Sequence, residues 1–154
     1  MLTAENLQGH IDQAIKLRLA GYELLLNHSH EQILKIANGI GPESFPAELR
    51  DAIDRANPTM IVASIIHDLR YTYGKGTTAD FLQANADLEI NGKLLAVDNY
   101  KWYNPIRYWV MYKAHKFRQL CDEFGWPAYL AAIKKRKEDP KIKDICITIT
   151  TAAE

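Results

Sequence analysis

Residues 59–73 read TMIVASIIHDLRYTY, and this stretch decides the fold. Between Met60 and Ile66 only Ser64 is polar, so a helix here offers no wet side and is predicted to run through the centre of a domain. Its limits are written in the chain. Pro58 disfavours an α conformation at Asn57, and Gly74 stands where the helix would close. A histidine and an aspartate, His67 and Asp68, follow directly on the apolar run. Burying such groups without partners is costly, so something in the fold must answer them.

Downstream, Thr77 or Thr78 caps a helix reading ADFLQANADLEINGKLLAV. Asn104-Pro105 opens another, IRYWVMYKAHKFRQLCDEF, which Gly125 ends. PAYLAAIKKRKE forms a last short helix before Pro140. Upstream, Leu7, Ile11, Ile15, Leu19, Tyr22 and Leu26 recur at steps of three and four, the stripe of one long first helix with Thr3 as its N-cap. Ser29 and Gln32 form a capping-box pattern for a second helix, which stops near Gly39, and Pro46 opens a third, PAELRDAIDRA. Only the tail ICITIT, with Ile145, Ile147 and Ile149 alternating, has strand periodicity. The class is therefore all-α: one helical domain over residues 1–140 and an extended tail over 141–154.

A chain of 154 residues that is 47% hydrophobic suits one buried core. Nineteen basic and nineteen acidic side chains cancel, so no net field recommends nucleic acid as a partner. No stretch reaches the length of a transmembrane segment, and the N-terminus MLTAENLQGHIDQ lacks the features of a signal peptide. The expected location is cytoplasmic, or outside the cell by another route. Cys121 and Cys146 do not make a disulfide framework and read as free thiols.

Neighbouring helical residues point about 100° apart, so His67 and Asp68 suit two separate tasks, base and metal ligand. Tyr71, four residues beyond His67 and three beyond Asp68, shares their face and has a phenol to donate to a nearby carboxylate. This H-D-x-x-Y pattern resembles the active-site helix of the phospholipase A2 superfamily. Gly39-Ile40-Gly41 looks like that family's calcium loop, and Ala86-Asp87-Leu88 looks like the aspartate-bearing partner helix. The likeness spans about residues 37–95. It is closest to the disulfide-free members found in viral capsids and in phage and bacterial proteins. The flanking cysteines of the secreted enzymes are absent, Ile66 standing beside the histidine, and Pro42 follows the second loop glycine.

The resemblance implies a phospholipase A2-like core over about residues 37–125, with two central antiparallel helices. It implies calcium on Asp68 and on the carbonyls of Ala37, Gly39 and Gly41. It also implies His67 as the base that activates water, Asp87 as the group that holds it, Tyr71 beside them, and a phospholipid or membrane surface as partner. Asp80 competes with Asp87 for the histidine.

Two other readings remain. His28 or His30 with His67, Asp68 and Asp98 outlines a helical HD-type metal phosphohydrolase, and the scaffold alone could serve as a non-catalytic binding or virion-associated module. Trp102, Tyr103, Tyr108, Trp109 and Tyr112 read as core by their helical spacing, or as the border of a lipid-facing surface. His28 and His30, beside a helix start, read as exposed.

Overall fold

The computed structural model describes residues 2–37, 47–139 and 142. The described segments are helical: α1 (Ala4–Leu17), α2 (Glu23–Leu26), α3 (His30–Ile36), α4 (Ala47–Ala56), a 3-10 turn (Pro58–Met60), α5 (Ile61–Thr72), α6 (Thr78–Asn99), α7 (Pro105–Phe124) and α8 (Trp126–Glu138). The all-α class follows. Gly39, Gly41 and Pro42, Cys146 and the ICITIT segment lie outside the described residues; of the tail, Ile142 alone is described, and it is buried.

Most helix ends carry the chemistry that the sequence announces. Thr3 and Ser29 make reciprocal capping boxes with Asn6 and Gln32. Thr77 accepts from the backbone of Asp80, and Asn104 caps α7 with Pro105 in its first turn. The long first helix is a correction. It ends at Leu17, where Arg18 turns into the left-handed region, and the chain resumes as α2 after Gly21 at φ +88°. Gly21 is required there twice over: its φ disfavours a side chain, and an added Cβ would lie 2.9 Å from both Arg70 and Ile66 of α5. Asn91 of α6, fully buried, clamps the break by accepting from Ala20 N at 2.7 Å and donating to Ala20 O at 3.0 Å.

Helix α5 is the central element. From Ile61 to Leu69 every side chain except that of Asp68 is buried, and α5 packs against α1, α2, α3, α6 and α8. Helices α5 and α6 run antiparallel: Thr59, just before α5, meets Tyr100 at the far end of α6, while Arg70 near the end of α5 meets Asp87. Helix α7 then returns along α6. The two approach closely because position 92 is glycine; a Cβ there would fall 2.7 Å from Ala114 and from the sulfur of Met60. Close packing of this kind lets three helices share the polar side chains described next.

The exposed reading of His28 fails, and so does the core alternative for the aromatic set around the start of α7. His28 is 8% exposed, its ring lying against Tyr73 and its Nδ1 at the carbonyl of Leu24, because α2 folds back after the break at Gly21. Trp102, Tyr103, Tyr108, Trp109 and Tyr112 are all more than half exposed or at half, since α7 turns only the stripe through Val110 and Ala114 inward. His30 is exposed as expected.

Candidate functional site

Helix α5 presents His67 and Tyr71 one turn apart, and both reach the same atom on α6. His67 Nε2 lies 3.0 Å from Oδ1 of Asn85, and Tyr71 donates to that oxygen at 2.8 Å. Asn85 is fully buried, and its Nδ2 donates at 2.8 Å to Oδ1 of Asp122 on α7. The direction of the whole chain follows. A carboxylate only accepts, so the amide nitrogen must face Asp122 and the amide oxygen must face His67. Nε2 of His67 therefore carries a proton, and the neutral ring has its lone pair on Nδ1.

Nδ1 faces Asp68, with its Oδ1 at 3.8 Å, an ion-pair distance rather than a hydrogen bond. Burial by itself would lower the basicity of His67; the carboxylate of Asp68 and the thiol of Cys121 outweigh it and hold the pKa up at about 10. In this arrangement the ring is an imidazolium at neutral pH. Tyr71 is kept as a neutral phenol, since burial pushes its ionisation well above the usual range. Beside the histidine an aromatic cluster closes the site: Tyr71 packs edge-on against Tyr129 and next to Phe81, which Trp126 covers. Gly125 leaves room for the phenol, because a Cβ there would lie 2.6 Å from its oxygen.

Asp87 is a correction. Its carboxylate pairs with Arg70 at 2.7 Å and accepts from Gln83 at 2.8 Å, and the histidine's partner is Asn85. Two helical positions turn the side chain about 200°, so residues 85 and 87 cannot both face His67. Asp80 does not replace it. It accepts from Tyr129 and from the backbone of Lys75, which ties α6 to α8 and to the preceding turn.

Of the four expected calcium donors, Asp68 has a partly exposed side chain, and Ala37 ends α3, which packs on α5. A hard cation takes carbonyl and carboxylate oxygens, so these two are of the right donor chemistry. Gly39 and Gly41 lie outside the described residues. The residues of the phosphohydrolase reading are not brought together: His28 is bonded to Leu24, and Asp98 pairs with Lys16 and Gln13 of α1. Among the described residues no group of three or more His, Cys, Asp or Glu is placed to hold a metal.

Two residues of the site, Asn85 and Asp122, carry no mark in the sequence reading, and Cys121 is read there only as a free thiol. Asn85 had one signal, a polar amide among the alanines of an otherwise packed helix face. A second polar group lies next along the α6–α7 interface. Glu89, buried, binds Lys93, His115 and Arg118; burial opposes its charge, but the hydrogen bonds from these three side chains and the charge of Lys93 bring its pKa down to about 2. Arg118 also reaches Asp122, which links the two sets of side chains. The chain matches no family model, no curated protein and no solved structure.

Proposed function

We propose that the chain is a phospholipase A2-like hydrolase of phospholipid esters in which His67 is the base. One observation supports this above the others: His67 and Tyr71 converge on a single acceptor across the α5–α6 interface, leaving Nδ1 of the histidine directed toward Asp68. Once the ring is neutral, the bond from Nε2 to Asn85 leaves it in the tautomer that the reaction needs. Nδ1 takes a proton from water, the resulting hydroxide adds to the ester carbonyl, and the same proton goes to the departing alkoxide. Asn85 keeps the proton on Nε2 throughout, the part that the resemblance gave to Asp87, while Tyr71 and Asp122 fix the amide. Calcium, held by Asp68 with the carbonyls of Ala37, Gly39 and Gly41, would polarise the ester carbonyl and take up the charge that now keeps His67 protonated.

A non-catalytic module on the same scaffold is the second reading, and the identity of Asn85 favours it. A neutral amide stabilises an imidazolium less than a carboxylate does, and a His67 that stays protonated has no lone pair to offer. Hydrolysis of phosphatidylcholine by wild type and by His67→Gln, with calcium and with chelator, separates the two. Calcium-dependent turnover lost in the glutamine variant upholds the hydrolase. Equal rates in both folded proteins, or none, leave the module.

A further inference from the structure

Cys121 stands on α7 one residue before Asp122, the carboxylate that orients Asn85. Its thiol hydrogen-bonds the imidazole of His67 and is partly exposed, so a nucleophile and a ring able to carry its proton meet at an accessible edge of the site. Packing of the backbone holds them there. A Cβ on Gly125 would lie 2.5 Å from the carbonyl of Cys121 and 2.6 Å from the phenol of Tyr71, which sets this turn of α7 directly against α5. Asn85 engages Nε2 of the same ring at 3.0 Å, and the nitrogen left to exchange a proton with sulfur is Nδ1.

We propose that Cys121 is a nucleophile that takes an acyl group from an uncharged ester, with His67 as its proton partner and Asn85 as the positioning residue of the ring. Cysteine, histidine and a side-chain amide in these roles recur in acyl-transfer sites on unrelated folds, recognised by geometry and not by place in the chain. Here α7, α5 and α6 supply one each. In the step itself Sγ, its proton lodged on Nδ1, adds to the ester carbonyl carbon. An S–C bond forms, the C–O bond to the alcohol breaks, and the Nδ1 proton leaves on the departing oxygen. The products are a thioester on Cys121, an alcohol and a neutral His67. Water closes the cycle: Nδ1 takes its proton, the hydroxide adds to the thioester, and the proton returns to sulfur as the acid departs. Nothing is oxidised or reduced.

Charge and surroundings choose the substrate class. Asp68 beside the ring and Asp122 next in the chain put two partly exposed carboxylates near the thiol, and they repel an anionic acyl donor. The cluster of Tyr71, Phe81, Trp126 and Tyr129 beside the histidine offers apolar surface to an acyl or aryl group. The inference does not rest on the hydrolase reading: it makes a side chain the nucleophile and needs neither calcium nor phospholipid.

The test mixes the full chain, in chelator and without lipid, with p-nitrophenyl acetate, and locates the acetyl group by acid quench and peptide mapping. Cys121 should be acetylated about tenfold faster or more in the native protein than in the same chain unfolded in urea, a comparison that needs no variant. Iodoacetamide, whose adduct water does not remove, should give the same ordering. Cys121→Ala should abolish the adduct. His67→Gln keeps polarity and size but cannot carry the thiol proton, and it should slow acetylation by about tenfold or more. Asn85→Leu should slow it as well, and Asn85→Asp with Asp122→Asn, which again places an acceptor at Nε2, should bring the rate back. A native Cys121 that reacts no faster than the unfolded one overturns the proposal, as does acetylation confined to Cys146 or to lysines. A folded His67→Gln protein that reacts at the wild-type rate overturns it too, and failure of the exchanged pair to restore the rate removes Asn85 from it.

Discussion

The imidazole of His67 and the amide of Asn85 meet at 3.0 Å in the interface between α5 and α6, and the direction of that bond is set from α7 by Asp122. Because Tyr71 uses the same oxygen, Asn85 serves three helices with one side chain. Asn85→Leu, close in size, leaves the Nε2 proton of His67 and the phenol of Tyr71 buried without an acceptor. Each such group costs about 1–3 kcal/mol, so a loss of about 3 kcal/mol is expected in urea unfolding with an unchanged m-value. A loss under about 0.5 kcal/mol, the range of an ordinary surface change, would contradict the buried relay.

The raised pKa of His67 has a definite consequence for stability. A folded pKa of about 10 against an ordinary value of 6.5 means that the native protein holds a proton which the unfolded chain gives up. The stabilisation is complete below about pH 6.5 and is lost as pH rises through about 10, with a slope of at most about 1.4 kcal/mol per pH unit. His67→Gln should flatten this alkaline limb. Asp68→Asn should lower the pKa, as read from the imidazole proton shifts by NMR, since the carboxylate is the leading group that opposes the cost of burial. An imidazole that titrates near 6.5 in the wild type would remove the ion pair from the account.

Glu89 governs the acid side. Its folded pKa of about 2 lies below the ordinary 4.5, so its contribution is present above about pH 4.5 and is lost as pH falls through about 2. Glu89→Gln should weaken the acid dependence and, by leaving the cations of Lys93 and Arg118 facing a neutral group, lower stability at neutral pH as well. Exposure of Lys93 and Arg118 limits that second effect to about 1 kcal/mol. Acid titration of the melting temperature, wild type beside variant, measures both.

Local signals in the sequence were sufficient for most helices and poor for their partners. Thr3, Ser29, Thr77 and Asn104 cap what they were expected to cap, because a cap is decided within four residues. The break after Leu17 escaped the periodicity. The stripe through Leu7, Ile11 and Leu19 continues across it, and what fixes it is Asn91, far along the chain. His67, Asp68 and Tyr71 were legible as a group needing partners. Which residue answers them depends on how α6 is rotated against α5, and a rotation of two positions separates Asp87, held by Arg70, from Asn85. The aromatic residues of α7 misled for a similar reason: helical spacing says that rings share a side, and cannot say whether that side faces another helix.

The amide of Asn85 and the carboxylate of Asp122 can be exchanged, and the exchange tests whether the relay is tuned for chemistry. Asn85→Asp alone sets two carboxylates against each other, since the group that donated to Asp122 becomes an acceptor. It should destabilise the fold. Asp122→Asn in the same molecule restores the donor and returns the number of hydrogen bonds to that of the wild type, at the cost of the partly exposed pair with Arg118. The double variant should therefore recover most of the stability lost in the single one, which unfolding experiments can follow as a double-mutant cycle. It also puts a full negative charge behind Nε2 of His67, where an imidazolium forms during proton abstraction. If His67 is the base, hydrolysis of phosphatidylcholine in the presence of calcium should rise in the double variant by about tenfold or more over wild type. A folded, stable double variant with no turnover would count against the hydrolase and for the non-catalytic module.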